Sequence, residues 1–97
     1  MNYQPTFIKG KEYGDFQRDC KPRYDTIVQY LDARFERRYS VFDLGANYGY
    51  FGIRLSFERD AVSVLVDTKP IADVLQKNAP LPVIWLNTRL GGSELQA

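Results

Sequence analysis

Three short apolar runs constrain this chain more than any other feature. They are Val41 to Leu44, Val62 to Val66 and Val83 to Leu86. Each has the length of a buried strand, and the stretches beside them carry apolar residues at helical spacing. Ahead of the first run, Pro22 marks a helix start, and Tyr24, Ile27, Val28, Leu31 and Phe35 form one apolar stripe. Residues 49–59 return to that period, with Phe51, Ile53 and Leu55 expected inward and Arg54, Glu58 and Arg59 outward. Thr68-Lys69-Pro70 opens a third helical stretch carrying Ile71, Val74 and Leu75. Strands that alternate with helices of this length require right-handed crossovers and a parallel sheet. Ser63 apart, Val62 to Val66 is wholly apolar and reads as a strand covered on both faces.

The 97 residues make one domain. Residues 1–21 show no sustained period and contain Pro5, Gly10 and Gly14, so they read as a lead-in loop. Residues 22–97 hold the domain, and Gly91-Gly92-Ser93 reads as a loop-like tail. Apolar runs are too short for a membrane span, and Met1 to Gly10 is too polar for a secretory signal. A single cysteine, Cys20, makes no internal disulfide, so a cytoplasmic location is expected. The net charge of +1 gives no support to a nucleic-acid partner. With no histidine, imidazole metal sites and Ser-His or Cys-His catalytic pairs are absent from the sequence.

The chemistry is expected at Asp43-Leu44-Gly45-Ala46-Asn47-Tyr48-Gly49, where the first strand turns into the next helix. Ligands of open parallel sheets bind at such carboxyl ends of strands. Gly45 and Gly49 remove side chains where a ligand would meet backbone, and the helix start offers N–H groups to it. Glycines at 45, 49 and 52 do not fit the dinucleotide spacing, and no Gly-Lys-Ser/Thr follows as in a phosphate-binding loop. Asp43 has a second role open to it, accepting backbone N–H groups to tie the turn together.

This stretch resembles the first motif of class I S-adenosylmethionine-dependent methyltransferases, in a form close to the FkbM-type branch. Asp67 ends the second apolar run 22 residues after Gly45, where the family carries its second acidic motif. The resemblance implies a Rossmann-like three-layer α/β sandwich, of which only the first three strands, in the order 3-2-1, fall within residues 22–90. It implies S-adenosyl-L-methionine as cofactor. Gly45 and Gly49 would back its methionine portion, and Asp43 would act on the amino group. Ala46, Asn47 and Tyr48 would lie in the binding loop, and Asp67 would accept both ribose hydroxyls. Removing Asp67 is then expected to leave the stability of the free protein nearly unchanged. Asn87 and Thr88 stand where the family contacts adenine, although no acid is present there. Tyr13 and Gln17 fall where relatives place a lid, a position that also suits an ordinary surface loop.

Phe42, Phe51 and Trp85 are expected in the core, and Tyr48 and Tyr50 exposed at the site. Catalytic residues of such enzymes follow the fourth strand, so they are expected beyond Ala97, and the methyl acceptor is not legible. A shortened, non-catalytic relative that acts through protein contacts is the alternative reading. The first strand lacks a neighbour on one side, which calls for a second copy, a longer chain, or residues 1–21 folded back as a cap.

Overall fold

The computed structural model describes residues 3–14 and 18–89, so Gln17 and the Gly91-Gly92-Ser93 tail lie outside the described residues. The chain opens with two strands, β1 (Thr6–Ile8) and β2 (Lys11–Tyr13). They are followed by α1 (Lys21–Arg34), β3 (Ser40–Leu44), α2 (Tyr50–Arg59), β4 (Val62–Asp67), α3 (Ala72–Asn78) and β5 (Val83–Asn87). Strands β3, β4 and β5 form a three-stranded parallel sheet in that order. The register sets Val64 between Phe42 and Ile84, and Val66 between Leu44 and Leu86. The α/β class and the parallel sheet therefore follow the sequence pattern.

Residues 1–21 are not simply a loop. Strands β1 and β2 pair antiparallel as a separate two-stranded sheet, with Phe7 opposite Glu12. The turn between them is Lys9-Gly10, with φ of 47° and 89°. Two consecutive left-handed residues match the twist of a hairpin. Lysine is an unusual choice at the first of these positions, so the turn carries no local sequence signal. The hairpin packs on α2 and α3 rather than along the free side of β3, so it does not cap that edge. Phe7 is buried, and Asn78 fastens the hairpin to α3. The Asn78 amide nitrogen donates to the Phe7 carbonyl at 2.8 Å and to the Val74 carbonyl at 2.9 Å, while its oxygen accepts from Lys9 N–H at 3.0 Å.

Side chains alternate across a strand, and the two faces of the parallel sheet differ. One face carries Val41, Asp43, Ser63, Leu65 and Trp85 and is covered by α2, with Ile53 and Leu65 fully buried. The other face carries Phe42, Leu44, Ile84 and Leu86, all exposed, and Val62 is exposed as well. Two expectations change here. On the face of β4 away from α2 Val62 is exposed and only Val66 is fully covered, at 4% exposure, and Phe42 is 68% exposed rather than in the core. Among the described residues the architecture has one helical layer, not two. Phe51 and Trp85 are half-buried against the core, and the Trp85 ring nitrogen donates to the Asp67 carbonyl at 3.0 Å.

The core beneath α2 contains a polar centre that spacing did not reveal. Arg54 points inward, with its guanidinium 4.3 Å from the Tyr24 ring centroid. It donates to the Tyr50 hydroxyl at 2.5 Å and to Glu58 at 3.0 Å, and Glu12 accepts from the Tyr50 hydroxyl at 3.0 Å. Burial pushes the Tyr50 phenol up to about 12, against the lowering effect of the Arg54 guanidinium, and the bond to Glu12 adds to the upward push. Tyr50, expected at the surface, is completely buried because it is the hub of this cluster.

Asn78→Ala should lower unfolding free energy by about 1–3 kcal/mol, since it leaves the buried Phe7 C=O without its partner. Urea melts would measure the loss. A variant as stable as the parent would show that the hairpin is held by Phe7 packing alone.

Candidate functional site

The turn from β3 into α2 is held by two carboxylates and one carbonyl. Gly45 N–H and Ala46 N–H both donate to the Val66 carbonyl, at 2.9 Å and 3.1 Å, so the turn is tied to the end of β4. Asn47 N–H donates to Asp67 Oδ2 at 2.8 Å, and Lys69 N–H donates to Asp67 Oδ1 at 3.0 Å. Asn47 takes a left-handed φ of 56°, which asparagine tolerates better than most residues, and its side-chain oxygen accepts from Tyr48 N–H at 3.0 Å. Gly49 N–H closes the turn on the Ala46 carbonyl at 2.8 Å.

The glycines serve different purposes. A Cβ on Gly49 would stand 2.7 Å from Leu65 Cδ1 and 2.9 Å from Ile53 Cδ1, and one on Gly52 would also collide with Leu65. These two glycines let α2 lie close on β4. Gly49 thus serves internal packing. Gly45, with φ of 70°, is the one with nothing within 4 Å of its absent Cβ. Open space beside backbone is what a bound molecule would use.

The start of α2 is less available than the sequence suggested. Tyr50 N–H, the first of the helix, donates to Gln4 Oε1 at 3.0 Å, and Gly52 N–H donates to Asp43 Oδ2 at 3.3 Å. Gln4 is 3% exposed and caps the helix from the hairpin segment. Sequence reasoning missed it, since 46 residues separate donor and acceptor.

The two aspartates differ in environment. Burial pushes the Asp43 carboxyl up to about 6, against the lowering effect of the Gly52 N–H; the Asp67 charge adds a further upward push. Partial burial also works to raise Asp67, but N–H groups of Asn47, Lys69 and Thr68 outweigh it and hold its carboxyl below the usual range. Asp67 is therefore ionised at neutral pH.

Of the residues singled out in the sequence, Gly45, Asp67 and Thr88 come together. With Val66, Thr68 and Arg89 they line a cleft of about 150 Å³ at the ends of the strands. Asn87, beside Asp67 in the register, is exposed and does not line it. Asp43 opens instead onto a separate apolar groove between α1, α2 and β3. Ala46 is buried in the turn, and the half-buried Tyr48 ring lies 4.4 Å under the Lys69 ammonium. Tyr13 is exposed on β2. Arg89 joins the cleft although nothing in its sequence context marked it. Among the described residues no group of His, Cys, Asp and Glu could hold a metal ion, and no helix is long and apolar enough to cross a membrane. Comparison of the chain with known protein families, curated proteins and solved structures found no match.

The two carboxylates give opposite pH responses. Asp67 has a folded value below its unfolded one, so it stabilises above about pH 4 and loses that effect as acid protonates it. Replacing it costs the turn two charged hydrogen bonds, contrary to the expectation of an unchanged stability. Asp67→Ala should destabilise by about 1–3 kcal/mol at pH 7 in urea melts. A midpoint equal to that of the parent would show that water replaces the carboxylate without loss.

Asp43 has a folded value above its unfolded one, so folding becomes less favourable as pH rises from about 4 to about 6. Asp43→Asn keeps an acceptor for Gly52 N–H and removes the buried charge. Its advantage over the parent should grow by about 1–3 kcal/mol across that interval and then level off. Melts at a series of pH values check this, and a margin independent of pH would overturn it.

Proposed function

We propose that this chain is the cofactor-binding part of an S-adenosylmethionine-dependent methyltransferase with a Rossmann-like sheet. The single observation that carries the reading is the cleft where Gly45, Asp67 and Thr88 meet at the carboxyl ends of parallel strands. That position is where open parallel sheets hold their ligands. The residues fit the adenosyl half of the cofactor. Asp67 is ionised, and a carboxylate has about four acceptor sites; the N–H groups of Asn47, Lys69 and Thr68 take three, which leaves one for a ribose hydroxyl. Gly45 offers open backbone and Thr88 a hydroxyl for the base or sugar. When bound, the cofactor supplies an already activated methyl group, so the protein mainly binds and orients. The cleft of about 150 Å³ is below the usual range for a whole ligand of this size, so it suits the ribose and part of the base.

Isothermal titration with S-adenosylhomocysteine should give measurable binding at up to millimolar concentration. The analogue lacking both ribose hydroxyls should bind about 10–100-fold more weakly, because Asp67 then faces the ligand without a donor. This comparison leaves the protein unaltered, so it separates recognition from stability. No heat with either ligand, on folded protein, would sink the assignment.

A further inference from the structure

Two opposite charges share the cleft at the strand ends without pairing. Asp67 and Arg89 both line it, yet neither enters an ion pair among the described residues. Asp67 is occupied on its own side, where the N–H groups of Asn47, Lys69 and Thr68 converge on its carboxylate. The Arg89 guanidinium makes no hydrogen bond, ring contact or ion pair among the described residues. It is exposed, so water holds its N–H donors, and a ligand in the cleft can take the place of that water.

The division of donors and acceptors in the cleft sets what a nucleoside meets there. Asp67 only accepts, and its remaining site goes to a ribose hydroxyl. Gly45 and Val66 bring no polar side chain, and the Thr68 and Thr88 hydroxyls donate or accept as the partner requires. Arg89 only donates. Once the ribose is seated, no carboxylate among the lining side chains is left to accept from the base. A 6-aminopurine offers its N7 acceptor beside a donor, the exocyclic amine. A 6-oxopurine offers two adjacent acceptors, O6 and N7, which match the planar fork of a guanidinium. Facing an amine, one arm of that fork meets another N–H and has to turn back to water.

We propose that Arg89 is the specificity-determining residue of this cleft and reads the base by its acceptor edge. The bound nucleoside is then recognised through its ribose and through base acceptors, not through a 6-amino group. This rests on the reading of the cleft as a nucleoside site and narrows it. The ligand class is a purine nucleoside thioether or sulfonium, with oxygen at position 6 accepted as readily as nitrogen. A guanidinium laid flat on the base would act differently, because stacking holds both bases alike.

The test compares S-adenosylhomocysteine with its 6-oxo counterpart, S-inosylhomocysteine, by isothermal titration. Both are added to the whole chain and to Arg89→Met, which keeps an unbranched stem and removes every donor. On the parent the inosyl ligand should bind at least as tightly as the adenosyl ligand. In Arg89→Met the ratio of the two affinities should shift about tenfold toward the adenosyl ligand, the scale of one lost bidentate contact. Arg89 is exposed and unpaired among the described residues, so urea melts of the two proteins should coincide and the shift reports recognition. Tighter binding of the adenosyl ligand by the parent, or a ratio unchanged in Arg89→Met, would each overturn the proposal and leave the nucleoside reading standing. If the folded parent binds neither ligand, the nucleoside reading itself falls, and this proposal with it.

Discussion

The close approach of α2 to β4 governs the rest of this structure. Leu65 sits against the positions where Gly49 and Gly52 lack side chains, and a Cβ at either would displace the Leu65 side chain or the helix. Only at that separation can Ser63 Oγ donate to the Gly52 carbonyl at 2.7 Å and lie 2.8 Å from Ser56 Oγ. The same approach brings Gly52 N–H to Asp43 and fixes the direction in which the turn leaves β3. A glycine pattern that resembles a ligand motif is thus first of all a packing device. Close packing of this kind transmits small changes in volume directly into the backbone.

The hairpin completes what the sheet and helices leave open. Gln4 satisfies the first N–H of α2, Phe7 packs edge-on to Tyr50 and Phe57, and Asn78 holds the hairpin turn from the far side. Glu12 and Glu58 flank Arg54, so a charge lying among the aromatic rings of Phe7, Tyr24 and Tyr50 has its counter-charges close by. A small domain cannot bury a large core, and this one adds a polar, aromatic cluster that joins three segments distant in sequence.

Asp43 and Asp67 stand at the ends of adjacent strands yet serve different surfaces. Asp67 is held ionised by the turn and faces the cleft, while Asp43 is held back by burial and faces the groove beside β3. The difference arises from the pleat. Asp43 pairs with Leu65 on the helix-covered face, whereas Asp67 lies beyond the last β3 residue in the register, where backbone N–H groups converge.

Local pattern determined the alternation of strands and helices, the parallel sheet and the turn that begins at Gly45, because each rests on neighbours a few positions apart. The helix stripe and the strand runs are local periodicities, and they carried through to α1, α2, β3, β4 and β5. Pattern did not reveal the hairpin, since Lys9-Gly10 lacks the usual asparagine of such turns, nor the inward course of Arg54, whose partners come from β1, β2 and α1. Only the tertiary structure decided which face of the sheet is covered, that Tyr50 is a buried hub and Phe42 an exposed one, and that Gly49 answers to Leu65. Those outcomes depend on contacts between segments tens of residues apart, where solvent exposure is set by what packs above a residue and not by its own hydrophobicity.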